Sequence, residues 1–322
     1  MTNAPSTSAR GGWKSYLKIA RFDHWIKQVF IVPGIVFALA VVPGAVLDAA
    51  FIFRLVLGVV AVCLVASANY VINEWLDAEF DKFHPVKKNR PAVTVGLKAQ
   101  YVYIEYAVFA VAGLIAAWFA SPPMLITNAA LLLMGIVYNV KPMRSKDVPF
   151  LDVLSESINN ALRLLIGWFI VTSNYFPPST IVLGYWMGGA FLMAVKRFSE
   201  YRMINNPELA GLYRKSFARY TEKSLLISAV FYGMMSLFFC GIFIVKYRIE
   251  FLLAIPFICG LFAYYLSISY RFDSAAQKPE ALFREKKLML YVLFLVVLLA
   301  VLAFVDIPFL NILEDTTLIG TA

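Results

Sequence analysis

Histidine, cysteine and charge are all scarce in this chain of 322 residues. The two histidines, His24 and His84, lie in no pattern typical of a general base. The three cysteines, Cys63, Cys240 and Cys259, fall inside apolar runs and lack metal-ligand spacing, which favours buried small side chains over a metal or disulfide framework. Chemistry built on histidine or cysteine is therefore not expected here.

Apolar residues, by contrast, are in large excess. They make up 61% of the chain, and the mean hydropathy is +0.73, whereas soluble proteins are roughly 45–50% apolar. One soluble core of this length cannot bury so much apolar side chain. The composition therefore predicts a polytopic membrane protein.

The apolar runs predict an all-α fold with nine transmembrane helices. Most runs approach or exceed the ~20 residues with which a helix crosses a bilayer. They do not alternate as barrel strands do, and a helix satisfies its own backbone groups in lipid. The predicted spans are 28–47, 53–74, 100–120, 123–140, 149–172, 179–195, 224–245, 250–270 and 288–306.

Charge indicates the orientation of these spans. With the N-terminus inside, the inner segments hold 25 of the 29 Lys and Arg residues, as the positive-inside rule requires. Lys246 and Arg248 lie on the opposite side. We therefore expect the N-terminus in the cytoplasm, the C-terminal tail outside, and the functional site on the cytoplasmic face of the inner (plasma) membrane.

The chain is expected to form a single transmembrane domain over residues 13–322. Residues 1–12 are polar and are predicted to be disordered, and no cleavable signal peptide is evident. The stretch GYWMGGA, 184–190, suits close helix packing and allows homo-oligomers without fixing their number.

A carboxylate cluster, NEWLDAEFD, ends the second apolar run. Asn73, Asp77 and Asp81 are spaced by four residues and so share one helix face. Like charges at this spacing repel each other, and a helix C-terminus disfavours anions. A compensating cation is therefore expected, and Mg²⁺, which prefers carboxylate oxygens and is usually shared with substrate phosphates, is the simplest candidate.

A basic loop follows directly. Lys82, Lys87, Lys88 and Arg90 stand beside the acids in KFHPVKKNRPAVTVG. Acids for Mg²⁺ next to a basic loop predict a diphosphate site. The alternative left open by spacing alone is a solvated loop in which the acids pair with the lysines of this loop.

This pattern resembles the UbiA superfamily of intramembrane transferases. The first motif of that superfamily is NDxxDxxxD at the inner end of helix 2, where it binds a Mg²⁺–diphosphate substrate. Asn73, Asp77 and Asp81 match it, and Glu74 replaces the first Asp with the charge kept. The resemblance implies a nine-helix transferase with Mg²⁺ as its cofactor.

A second polar cluster opens the fifth span. Asp152 and Glu156 are again four residues apart, and Arg163 lies deeper in the same span. Capping of a helix N-terminus would explain the acids. A charge in mid-membrane is more often paired or functional, so Glu156 and Arg163 either pair or line a polar cavity.

This segment resembles a second superfamily motif, Y-x-x-K followed by DxxxD. Tyr138, Lys141 and Asp152 match it, Glu156 stands for the second Asp, and Asp147 is an alternative member.

Further pieces resemble one branch, the polyprenyl-phosphate phosphoribosyltransferases. ARFDHWIKQVFIVPGIVFA, DKFHPVKKNRPAVTVG, VKRFSEYR and YRKSFARYTEKSLL occur in the order found there. The branch implies that a polyprenyl phosphate attacks C1 of 5-phosphoribosyl-1-diphosphate and releases pyrophosphate. The expected partners are these two substrates and the membrane, and not nucleic acid.

The resemblance also implies roles for single residues. Asn73, Asp77 and Asp81 would bind the metal, and Asp77, Asp81 and Lys141 are the expected catalytic residues. Lys27, beside Trp25, is expected to take the lipid phosphate. The remaining expected substrate-binding residues are Lys87, Arg90, Tyr138, Arg144, Asp152, Glu156, Arg163 and Lys196.

Two other functions remain open. A prenyl diphosphate could be the donor, with an aromatic or lipid acceptor, and GWFIVTS (167–173) departs from the phosphoribosyl branch. A transporter could use Glu105, Asp152, Glu156 and Arg163 along a pathway. Transporters more often place charge at mid-depth in repeated halves, whereas here charge gathers at the inner mouth.

Overall fold

The computed structural model describes residues 12–84, 86–271, 274, 276, 282 and 285–313, and these contain helices and no strand. Of the segment 1–12 that is predicted to be disordered, residues 1–11 lie outside the described residues, and so does the end of the C-terminal tail. The α-helices are α1 (Trp13–Ile19), α2 (Val32–Val41), α3 (Ala49–Asp81), α4 (Pro91–Thr94), α5 (Ala99–Ala120), α6 (Pro122–Asn139), α7 (Leu151–Val171), α8 (Ser179–Ile204), α9 (Pro207–Tyr213), α10 (Glu222–Tyr247), α11 (Ile255–Ser269) and α12 (Lys286–Phe304). Short 3₁₀ helices include Phe22–Ile31, Lys87–Asn89, Ser145–Asp147, Lys215–Arg219 and Ile249–Ala254.

The long helices confirm an all-α, multi-pass membrane protein. Eight segments of the described chain are long and apolar enough to cross a bilayer. α7 has 21 residues but carries Asp152, Glu156 and Arg163 and is not among the eight. A count of nine spans, and the orientation of the ends, therefore stay predictions.

Two predicted boundaries differ from the structure. The first membrane segment runs over Trp13–Val41 rather than 28–47, and the chain turns at Gly44, where φ is +70°. The second helix does not end near residue 74. α3 continues unbroken for 33 residues, from Ala49 to Asp81. Its N-cap is Asp48, whose carboxylate accepts the Phe51 N–H at 2.7 Å. The first carboxylate cluster therefore lies on the helix itself.

α2 and α7 cross with their backbones in close contact. A Cβ placed on Gly34 would lie 2.1 Å from the Leu164 carbonyl oxygen, and one on Gly167 would lie 2.0 Å from the Ile31 carbonyl oxygen. Glycine is needed at both positions because backbone atoms cannot swing aside as side chains can. This crossing fixes α7 against the 3₁₀ helix Phe22–Ile31.

The charged end of the bundle is covered by the segment between α8 and α10. Its α9 and the 3₁₀ helix Lys215–Arg219 bury Tyr213, Phe217 and Tyr220 against Phe198 of α8. The segment reaches α7 as well, because the Tyr220 hydroxyl bonds to the backbone N–H of Phe150. It therefore forms one wall of the cavity described next.

Candidate active site

One cavity of about 510 Å³ opens at the charged end of the bundle. Its walls come from α3, α6, α7 and α8, the Phe22–Ile31 helix, and the loops after α3, α6 and α8. The lining residues include eleven Lys or Arg side chains and seven Asp or Glu side chains. This excess of positive charge, close to low-dielectric walls, suits a polyanionic ligand.

The first carboxylate cluster faces this cavity. Asp77 accepts from two cations through the same oxygen, Oδ1: Arg144 Nη2 lies 3.0 Å away, and Lys146 Nζ is in contact. One turn on, Asp81 Oδ2 pairs with Arg90 Nη1 at 2.6 Å. Asn73 Nδ2 donates to Asn139 Oδ1 at 2.5 Å. Asp81 thus pairs with a cation of the basic loop, as the alternative expects, but these pairs are largely buried in the cavity wall and not solvated.

Arg144 and Lys146 reach Asp77 from the tight loop after α6. Arg144 has a φ of +26°, a strained value for a residue with a side chain. Its guanidinium also lies 3.2 Å from Asp147 and donates to the Asn139 carbonyl at 3.1 Å. Burial lowers the pKa of Lys146 to about 8, although the charge of Asp77 acts in the opposite direction.

A second charged cluster is centred on Arg197 of α8. Arg197, only 1% exposed, lies 3.0 Å from Glu200, 3.4 Å from Asp152 and 3.7 Å from Glu156. Lys87 from the loop after α3 reaches Glu200 Oε1 at 3.1 Å. The loop that follows the first cluster is thus fixed to the second one.

Tyr138 joins the second cluster to the covering segment. Its hydroxyl oxygen accepts from Arg197 Nη2 at 3.1 Å and from Arg214 Nη1 at 3.2 Å. Arg214 lines the cavity. Burial alone would lower the pKa of Arg214. The neighbouring groups, including Glu200 and Asp152, outweigh this effect and raise the pKa well above its usual value, so Arg214 stays charged.

Asp152 holds the covering segment from below. It is fully buried, and it accepts from the Tyr220 hydroxyl at 2.7 Å and from Ser216 Oγ at 3.2 Å. The capping interpretation of this acid is therefore incomplete, since its partners come from α8 and from residues 60 or more positions later in the chain. Asp152 positions the wall and does not line the cavity.

Ten of the residues predicted from sequence line the same cavity. They are Lys27, Asn73, Asp77, Asp81, Lys87, Arg90, Tyr138, Arg144, Glu156 and Lys196. Lys141 lies outside it and is exposed, and Arg163 lies one turn deeper than Asn159. Glu156 contacts Arg197 and not Arg163.

Sequence reasoning missed Lys146, Arg197 and Arg214 as cavity residues. Lys146 is five residues beyond the Lys141 of the expected motif, and only the fold of the loop brings it to Asp77. Arg197 follows the predicted Lys196 directly, so its burial could have been suspected from its place on a mostly apolar helix. Arg214 lies in YRKSFARYTEKSLL, which resembles the phosphoribosyltransferase branch, but that resemblance gave it no role of its own.

His84 is a structural residue. Its Nδ1 accepts the backbone N–H groups of Val86 and Lys87, each at 3.1 Å. Burial, together with the charge of Lys87, lowers the pKa of His84 to about 3. The imidazole is therefore neutral near pH 7 and stabilises the loop after α3.

The residues around Asp77 and Asp81 fit a divalent cation held jointly with phosphate oxygens. The described residues contain no group of three or more His, Cys, Asp or Glu side chains placed to hold a metal alone. Mg²⁺ is usually bound by one or two carboxylates and the substrate. Glu74, which also lines the cavity, has a buried Oε1 without a hydrogen-bond partner, and such an oxygen calls for a ligand.

Three comparisons place the chain among known proteins. Residues 31–285 match the model of the UbiA prenyltransferase family. The decaprenyl-phosphate phosphoribosyltransferase of Mycolicibacterium smegmatis is 27% identical over 65% of this chain and 63% of that protein. The matched region thus spans under two thirds of that relative.

Other relatives carry different names. The protoheme IX farnesyltransferase of Alkalihalophilus pseudofirmus is 25% identical over 68% of this chain and 72% of that protein. A UbiA homologue from Archaeoglobus fulgidus, solved with DMAPP and Mg²⁺, superposes with a TM-score of 0.67 at 18% identity, covering 91% of this chain and all of that one. At this identity the superposition supports the fold alone.

Proposed function

The chain belongs to the UbiA prenyltransferase family of transferases, and on that premise we propose that it transfers phosphoribose from 5-phosphoribosyl-1-diphosphate to a polyprenyl phosphate. Pyrophosphate is the second product. The reaction takes place on the cytoplasmic side of the inner membrane.

The observation that carries this proposal is the surplus of cations around the cavity, which eleven Lys or Arg and seven Asp or Glu side chains line. A prenyl diphosphate presents one diphosphate and an apolar tail, which the groups around Asp77 and Asp81 could bind alone. Lys196 and Arg197 of α8 and Arg214 after α9 also line the cavity, and such cations suit the further phosphate of a phosphoribosyl donor. The likeness to decaprenyl-phosphate phosphoribosyltransferase supports the same donor.

Charge stabilisation is what the reaction requires from the protein. An oxygen of the lipid phosphate attacks C1 of the ribose, and the bond from C1 to the diphosphate oxygen breaks. A phosphate monoester is largely ionised at pH 7, so no general base is needed, which agrees with a neutral, structural His84. Lys146, Arg144 and Arg90 stabilise the negative charge that develops on the leaving diphosphate.

Mg²⁺ is proposed as the cofactor, with Asn73, Asp77, Asp81 and the unpartnered Glu74 oxygen as the residues that would hold it. When bound, it neutralises part of the charge on the diphosphate. Arg144 and Lys146, which contact Asp77, line the same cavity and would be available to the phosphate oxygens.

The test uses purified protein, Mg²⁺, labelled phosphoribosyl diphosphate and a polyprenyl phosphate. Label that moves into the organic phase supports the proposal. No transfer to lipids of several lengths would overturn it.

A prenyl transfer is the second candidate, favoured by the match to protoheme IX farnesyltransferase over 72% of that protein. It predicts turnover of a labelled prenyl diphosphate with an aromatic or lipid acceptor. Turnover of this donor, with phosphoribosyl diphosphate inert, would replace the first proposal.

A further inference from the structure

A second polar site lies in α7, deeper in the membrane than the cavity. Arg163 is the thirteenth residue of this 21-residue helix, about 18 Å along its axis from Leu151. The guanidinium donates to Gln28 Oε1 at 2.9 Å, to the Asn159 carbonyl at 3.1 Å and to Asn160 Oδ1 at 3.4 Å. All three acceptors are neutral.

The positive charge of Arg163 has no counterion in the described part of the chain. No Asp or Glu oxygen of those residues lies within 4.0 Å of it. Arg54, in α3, shows how such a charge can otherwise be stabilised. It donates to the carbonyls of Ile170 and Val171 at 2.8 and 3.1 Å, at the negative end of the α7 dipole. Arg163 lies in mid-helix and has no such compensation.

Two further polar atoms beside Arg163 are unsatisfied. Gln28 is only 4% exposed, and its Nε2 has no hydrogen-bond partner; Oδ1 of Asn159 is buried and equally unpartnered. Buried amide atoms normally find partners, so each orphan needs an explanation. Here a donor, Gln28 Nε2, and an uncompensated guanidinium lie side by side, which is the arrangement that binds an oxyanion.

The site adjoins the active-site cavity, although neither Gln28 nor Arg163 is among the residues that line it. Asn159 lines that cavity, and so does Lys27, the neighbour of Gln28 in the chain. Long side chains of a helix lean toward its N-terminus, and the contact between Arg163 and Asn159 places the guanidinium on the cavity side. A ligand held here would lie below the diphosphate site, on the apolar side of it.

We propose that Arg163 and Gln28 bind the phosphate monoester of the lipid acceptor. The assignment rests on the proposed function for what the phosphate then does, but not for its binding. It also makes the pair a determinant of specificity, because a neutral aromatic acceptor would leave the guanidinium uncompensated. Arg163 touches the attacking phosphate, and Gln28 donates the second hydrogen bond to it.

The decisive variant is Gln28→Glu. It keeps the shape of the side chain but places a carboxylate against Arg163. If the pair were only a structural link between α7 and the Phe22–Ile31 helix, the new ion pair would preserve both folding and activity. If the pair binds a phosphate, the carboxylate occupies the site and repels the lipid.

Binding of farnesyl phosphate in detergent should be measured first, without any donor. We expect Gln28→Glu and Arg163→Gln each to weaken it roughly 10- to 100-fold, the effect of losing a hydrogen bond to a charged group, with Arg163→Lys in between. Arg54→Gln is the matched control, expected to lower the unfolding temperature and leave binding unchanged. Inorganic phosphate should compete weakly, since it lacks the apolar chain. If it binds as tightly as farnesyl phosphate, the site binds a free anion and not a lipid phosphate.

Kinetics then separate this inference from the proposed function. In Arg163→Gln the KM for the lipid phosphate should rise and the KM for the diphosphate donor should stay unchanged. Unchanged lipid binding in folded Arg163→Gln and Gln28→Glu proteins would overturn the inference, even if phosphoribosyl transfer is found. Lipid binding lost in both variants would sustain it even if phosphoribosyl diphosphate is inert.

Discussion

At the scale of single residues, Asp77 is the carboxylate of the cavity lining that both Arg144 and Lys146 contact. Asp77→Asn keeps its shape but removes the charge that Arg144 and Lys146 compensate. We expect turnover to fall roughly 100- to 1,000-fold, as when a preorganised electrostatic group is lost. Glu79→Gln, on the same helix but outside the cavity lining, is the matched control. Label transfer that survives in Asp77→Asn would contradict the proposed metal and diphosphate site.

Lys146 and Lys141 offer a direct comparison between geometry and motif. The resemblance assigns a role to Lys141, which is exposed, whereas Lys146 is buried against Asp77. We expect Lys146→Gln to raise the KM for the donor roughly tenfold, the worth of a charged hydrogen bond, and Lys141→Gln to change it little. The reverse result would support the motif and refute the geometric assignment. Steady-state kinetics at saturating lipid distinguish the two.

His84 should make the protein sensitive to acid. Its pKa is about 3 in the folded protein and near 6.5 in an unfolded chain. Between these values the unfolded chain binds a proton that the folded one does not, so stability is complete above pH 6.5. Below it, the free energy of unfolding falls by about 1.4 kcal/mol per pH unit.

The measurement for His84 is thermal unfolding in detergent from pH 7.5 to 5. In His84→Asn, the amide oxygen can still accept from Val86 and Lys87, but nothing titrates. Its unfolding temperature should therefore drop less on acidification than that of the original protein. Parallel curves for the two proteins would show that His84 is protonated without penalty.

At the scale of elements, the crossing of α2 and α7 depends on absent side chains. In Gly167→Ala the new methyl would lie 2.0 Å from the Ile31 carbonyl, so the helices must move apart, at a cost of about 1–3 kcal/mol. Gly241→Ala is the control, because a Cβ there meets nothing within 4 Å. We expect a clear fall in unfolding temperature for the first variant only; equal behaviour of both would mean that the crossing yields easily.

The helices themselves were largely predictable, and the reason is local. Length and hydropathy define a membrane helix within its own residues, so α5, α6 and α10 follow the predicted spans closely. The contacts of Lys146, Arg197 and Arg214 are not local. They depend on how the eleven-residue loop between α6 and α7 and the α8–α10 segment fold over the bundle, and no periodicity within those segments encodes that.

At the scale of the whole molecule, orientation in the membrane is the remaining prediction. Asn174→Cys, in the exposed α7–α8 loop, and Ala218→Cys, in the exposed covering segment, should lie on opposite sides. In intact cells a membrane-impermeant maleimide should label the first and reach the second only after permeabilisation. The native thiols lie within α3, α10 and α11 and form the unlabelled background. The opposite pattern would place the active site outside.

The sequence predicted the overall architecture better than it predicted the substrates. Composition alone predicts a polytopic helical protein, and the comparisons confirm the UbiA family. Carboxylate spacing brought Asn73, Asp77 and Asp81 to one wall because a helix face is fixed by its period. The donor remains a proposal. The choice between a ribose phosphate and a prenyl tail depends on how Lys196, Arg197 and Arg214 are arranged along the cavity.

The ion pairs of Asp77 and Asp81 have a thermodynamic consequence. Each carboxylate already holds the cations that a diphosphate would claim, so the ligand can gain Lys146, Arg144 and Arg90 only as the acids release them. A divalent ion on the acids would free those side chains, and a diphosphate on the side chains would free the acids. Metal and donor should therefore bind with positive cooperativity, each tightening the other by the same factor.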